Sequence, residues 1–170
     1  MDKLQAIWNK IVGGLESAGD WVALLPIRLI LAYEFWWVAG NGKLGADGVP
    51  GWFADKVFPF PFSLFPAGFN WFIVTWVEII AGICLVLGLF TRFWAFSLII
   101  VTIVAIVSTH WPSEITSLAQ FWEGYKVSRN PPGSGNFRIP LLFLVMLLPL
   151  VFRGAGRASL DHVIAKYLKK

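Results

Sequence analysis

Glu78 is the one carboxylate in residues 69–90, FNWFIVTWVEIIAGICLVLGLF, and sits near the middle of that run. A charge left in hydrocarbon costs about 2.5 kcal/mol or more unless it is paired or protonated, so a residue of this kind marks a site inside a helix bundle. Arg28 and Glu34 lie in a second apolar stretch, 21–39, and His110 closes a third, 93–110. Arg28 and Glu34 are separated by about 9 Å of helix rise and roughly 120° of rotation, so they face different neighbours. Counted from the outer ends of the stretches, Glu34 lies about 8 Å deep, Glu78 about 12 Å and Arg28 about 16 Å, with His110 at the mouth. These depths predict an Arg28–Glu78 ion pair, which serves either to fix helix register or as part of a ligand or proton site. Glu34 then has no cation at its level except Lys43, reaching back from the loop, and reads as functional. His110 reads as either a proton carrier or a wet surface residue.

Carboxylates, Arg, His and aromatic rings are what the chain offers for chemistry. Tyr33, Trp37, Trp71 and Trp76 fall near the depth of Glu34 and Glu78, where they could wall an apolar pocket, and Trp36–Trp37 also suits anchoring at the membrane surface. Thr75, Glu78 and Gly82 share one small, polar helix face where another helix can come close. A bis-histidine haem is excluded, because His110 and His162 fall on opposite sides of the membrane. With one Cys, two His and two Met, all scattered, no metal site is expected. The lone Cys84 excludes a disulfide and a CxxC pair, and there is no Gly-rich phosphate loop and no Ser/His/Asp arrangement. What remains suits quinone binding or proton shuttling better than group transfer, with no covalently bound cofactor.

The elements that must position these residues are membrane spans. A chain that is 57% hydrophobic and 14% charged, with mean hydropathy +0.68, cannot be an ordinary soluble domain. Residues 69–90 reach roughly 33 Å as helix, enough to cross a hydrocarbon core. Ten Trp and fifteen Phe exceed what core packing needs and favour membrane interfaces. The reading is an all-α, integral membrane four-helix bundle forming one domain over 1–170, with spans at 21–39, 69–90, 93–110 and 139–152. The last is the shortest and contains Pro149. Amphipathic interfacial helices are expected at both ends: residues 1–19 put Leu4, Ile7, Trp8, Ile11, Val12 and Leu15 on one face, and the tail does so with Leu160, Val163, Ile164 and Tyr167 after a Ser159 cap. Asp20 is placed to cap the first span. Residues 40–68 are too rich in Gly and Pro for one regular element, with a turn of helix at 52–57 and FPFPFSLFP (58–66) extended on the bilayer surface. Between the third and fourth spans, a short surface helix at 112–122 precedes RNPPGSGN (129–136).

Lys3, Lys10, Arg92, Arg153, Arg157, Lys166, Lys169 and Lys170 fall on one side, against Lys43, Lys56, Lys126, Arg129 and Arg138 on the other. The excess puts both termini in the cytoplasm. The net charge of +4 is thus a topology signal rather than a sign of nucleic-acid binding. No removable signal peptide is read at the N-terminus.

RLILAYEF (28–35) with GNGKL (40–44), VEIIAGICLVLGLFTR (77–92), IVAIVSTH (103–110) and FRGAGRASLD (152–161) together resemble the DoxX family of small four-helix bacterial membrane proteins. The resemblance spans about 22–164. Leu31-Ala32-Tyr33 and the end of the third span are most similar to members linked to maturation of copper-binding modified peptides, although Glu34 stands where a small residue is usual. The resemblance implies a multi-pass protein of the bacterial inner membrane that serves as an oxidoreductase-associated or quinone-linked accessory subunit. Its expected partners are the lipid bilayer and a protein of a periplasm-facing redox or maturation complex, and a homo-oligomer is open. The competing reading is a non-enzymatic scaffold or small-solute carrier whose intramembrane charges are structural.

Overall fold

The computed structural model describes residues 2–113, 115–126 and 134–168, and every regular element among them is helical. Most of the RNPPGSGN stretch, together with Lys169 and Lys170, lies outside the described residues. α1 (Asp2–Val22) passes through a turn at Ala23–Leu24 into α2 (Leu25–Ala32). α2 runs on as a π-helical segment, Tyr33–Gly40, and ends in α3 (Asn41–Leu44). The whole run, Lys3–Leu44, is 42 residues, about 63 Å of rise and twice a hydrocarbon core, so α1 must leave the membrane. Pro26, in the first turn of α2, sits where its missing N–H costs nothing and marks that exit. Asp20 lies within α1 rather than capping the span; its carboxylate instead meets Arg157 at 2.8 Å.

After α4 (Gly51–Ala54) and a 3₁₀ turn at Phe62–Leu64 comes α5 (Ala67–Leu87), then α6 (Thr91–Ala105) with a second π-helical segment, Ile106–His110. α7 (Leu118–Tyr125) is a short surface helix whose Ser117 side chain accepts from the Gln120 amide. α8 (Arg138–Arg153) and α9 (Leu160–Leu168) complete the chain, with Ser159 capping α9 as expected. Lys3–Leu44, Ala67–Leu87 and Thr91–His110 are long and apolar enough to cross a membrane; α8, at 16 residues and about 24 Å, falls short.

One core joins four of these helices. Leu31 and Ala32 of α2, Ala81 and Leu85 of α5, Ala95 and Leu98 of α6, and Leu147 and Leu150 of α8 are buried together. The small-residue face of α5 does what such faces do: a β-carbon on Gly82 would stand 2.4 Å from the Trp36 Cβ, so only glycine lets α5 press against the π segment. Outward, the helices present Leu, Ile and Phe, as lipid-facing surfaces must.

Candidate functional site

The end of the bundle that carries the α5–α6 turn is held by two charged side chains, Arg28 and Asp161, bonded to backbone groups. Arg28 is buried and donates its Nε to the Leu85 carbonyl (2.9 Å) and Nη2 to the Val86 carbonyl (3.1 Å), both in the last turn of α5. Its Nη1 reaches Ala155 (2.6 Å) and Ala158 (3.0 Å) in the α8–α9 loop. Asp161 accepts from the amides of Phe90 (2.7 Å) and Thr91 (2.9 Å), filling the N-terminus of α6, while its own amide donates to Gly88. Gly88 is left-handed (φ 64°), and a side chain there would strike Ser159 and Arg28. These contacts explain the Gly-x-Gly-x-x-Ser-Leu-Asp run as a latch between the tail and two spans.

The Arg28–Glu78 ion pair does not form. The first span ends at Leu44 rather than Ala39, which puts Arg28 about 24 Å from its C-terminal end and leaves it level with the far end of α5. The same extension carries Lys43 to Glu78. Lys43 Nζ donates to Glu78 Oε2 at 2.6 Å and more weakly to the Ala39 carbonyl at 3.5 Å, with the two side chains 17% and 6% exposed. Arg28 therefore lies apart from the other candidates.

Those other candidates surround a cavity of about 350 Å³ between the π segment of the first span, α5, α6 and the start of α8. Glu34, Lys43, Glu78 and His110 all line it, with Phe35, Val38, Ile73, Val74, Val101 and Phe143 supplying apolar wall. Glu34 makes no hydrogen bond or ion pair among the described residues. His110 Nδ1 is bonded to Asn136 Oδ1, and its carbonyl accepts from the Asn136 amide, which ties the mouth to the start of α8. Both π-helical segments border the cavity and supply Glu34 and His110; π-bulges of this kind are frequent at functional sites.

The roof comes from the loop read as lying on the bilayer surface. Trp52, Phe53, Phe58 and Phe62 line the cavity, with Phe53 against Phe58 and Trp71 at centroid distances of 4.9 and 4.8 Å. Trp71 braces the roof without lining the cavity. Asn70 lines it too, and its side-chain amide holds the Phe62 carbonyl at 2.9 Å. A lone Asn at the head of an apolar span was the available signal for this contact. Tyr33 and Trp37 are exposed on the outer surface of the π segment, and Trp76 is exposed beside Phe72. Thr75 is buried, its hydroxyl bonded to the Trp71 carbonyl at 2.7 Å, outside the cavity wall. Among the described residues no three His, Cys, Asp or Glu side chains come together as a metal site would require.

A family model described as DoxX matches residues 23–111. A Haemophilus influenzae protein described as "Uncharacterized protein" is 38% identical over 154 residues, covering 89% of each chain. No solved structure matches the chain.

Proposed function

The chain belongs to the DoxX family of membrane proteins, and from that premise we propose that it is an accessory subunit of a redox or maturation pathway, binding a quinone or a similar apolar molecule in the cavity beneath the aromatic roof. The observation that carries this reading is Glu34: a carboxylate without a partner among the described residues, on a π-helical turn, facing a cavity whose wall is mostly apolar and aromatic and whose other charged groups, Lys43 and Glu78, are paired with each other. A volume of about 350 Å³ falls in the range of small-molecule sites, which pair mostly apolar walls with a few placed polar groups. The family and the Lys/Arg count support an inner-membrane location with both termini cytoplasmic, α8 as a short fourth span, and the cavity opening to the periplasmic side.

A quinone, when bound, would supply reversible two-electron, two-proton chemistry. Glu34 is placed to hold a proton at the cavity wall, and His110, at the mouth, to pass it to water. The Lys43–Glu78 pair keeps its charge internally compensated and gives the inner wall a fixed dipole. Phe35 and Phe143, at a 5.3 Å centroid distance, can lie against a flat ring.

The scaffold reading draws on a different observation: all four of Arg28's contacts go to backbone carbonyls, and Glu78 is matched by Lys43, so those intramembrane charges are accounted for structurally. An absorbance and native mass spectrum of the purified protein, together with Glu34→Gln, separates the two. We expect a co-purifying quinone, and a Glu34→Gln variant that folds but fails to support the host pathway. If Glu34→Gln and Glu78→Gln both insert and support the pathway as well as the parent, the scaffold reading replaces ours.

A further inference from the structure

At the opposite end of the bundle from the roofed cavity, α1 and the α8–α9 loop enclose an open groove of about 1370 Å³. Three arginines line it. Arg157 is paired with Asp20, but Arg92 and Arg153 have no carboxylate or hydrogen-bond partner among the described residues. The guanidinium of Arg92 lies over Gly154, the residue after Arg153, where a β-carbon would come within 3.3 Å of its Nε. Of the carboxylates in the wall, Asp20 and Asp161 are already engaged, which leaves Glu16 on α1 and the imidazole of His162 as the other titratable groups facing it. Thr91, fully buried in the same wall, carries a hydroxyl with no hydrogen-bond partner. Exposed Phe90 and Phe93 border these charges.

We propose that this groove is a binding site for the phosphate group of an anionic phospholipid, held by Arg92 and Arg153 with the Phe90 and Phe93 rings against its glycerol and upper acyl carbons. The chemistry is that of the guanidinium fork, whose paired N–H donors match phosphate oxygens, supplied here by the two arginines that have no partner among the described residues, at the end of membrane helices. The flanking exposed rings of Phe90 and Phe93 favour an amphiphile over free phosphate. The assignment is independent of what occupies the roofed cavity.

Native mass spectrometry of the full chain, released from micelles containing equal phosphatidylglycerol and phosphatidylcholine, tests it. The parent should retain phosphatidylglycerol preferentially, and Arg92→Gln/Arg153→Gln should reduce that adduct about thirtyfold, as loss of two cations at a lipid surface implies. Both arginines are exposed, so the fold should survive. Ala165→Trp, which fills the groove without changing charge, should reduce the adduct in the same way. Undiminished adducts in both variants, or no preference in the parent, would overturn the site. Displacement of the lipid by inorganic phosphate would overturn its assignment to a phospholipid.

Discussion

Lys43 and Glu78 form the one intramembrane ion pair among the described residues, and their unequal burial predicts an unequal response to mutation. Replacing Lys43 with Met leaves Glu78, 6% exposed, with an uncompensated charge, and breaking a buried pair this way costs about 3–5 kcal/mol. Replacing Glu78 with Gln leaves Lys43 instead, 17% exposed near the outer end of its span, on a long stem that can carry the ammonium toward water. That variant should lose less, about 1–3 kcal/mol, the range for an unsatisfied buried polar group. The double variant should recover part of the Lys43→Met loss, with a coupling of about 2 kcal/mol, within the range for residues in direct contact. Reversible unfolding in mixed micelles, followed by the ten tryptophans, measures all four proteins. Additivity to within about 0.5 kcal/mol would show that the pair is not formed. A greater loss for Glu78→Gln than for Lys43→Met would refute the burial argument even if the two residues are coupled.

Arg28→Lys should destabilise nearly as much as Arg28→Gln, because a single ammonium cannot reach carbonyls in both α5 and the α8–α9 loop; the same unfolding assay should show losses of several kcal/mol for each, about 3 or more. Gly82→Ala forces α5 away from Trp36 and should cost about 1–3 kcal/mol, while Ala at Gly13, with open space around it, should be neutral or slightly stabilising. Single cysteines at Ser63 and Lys166 should react oppositely with an impermeant thiol reagent in intact cells, the first labelled and the second protected; the reverse pattern would invert the orientation, and equal labelling would remove the topology.

The long apolar helices were legible because hydropathy needs only length and composition, and the spans at 69–90 and 93–110 agree with the structure to within a few residues. The first span was underestimated at its outer end, because Gly40 and Gly42 read as breakers. In the structure Gly40 is helical and packed against Ile79, as glycines in membrane helices often are. That single error displaced Arg28 outward and assigned Lys43 to a loop, so the wrong cation was given to Glu78. The roof was not legible either, since nothing in FPFPFSLFP distinguishes a segment resting on lipid from one folded over a cavity. Asn70 ties it down through a carbonyl eight residues away, and Trp71 braces it through Phe53. The surface helix expected at 112–122 starts later, at Leu118, where Ser117 supplies the cap.

The two ends of the bundle divide the polar residues by role. At the α5–α6 turn, Arg28, Asp161 and Ser159 are all consumed in bonds to backbone, so the terminal Gly-x-Gly-x-x-Ser-Leu-Asp run, specific as it is, identifies the fold and contributes no free reactive group. At the other end one ion pair closes on itself, one histidine is tied to Asn136, and Glu34 is left over. A half-buried carboxylate at a cavity wall, with no structural task among the described residues, marks a candidate for chemistry. A Glu34→Ala variant should therefore keep the latch, the Lys43–Glu78 pair and the roof, and bind an apolar ligand without exchanging a proton with it.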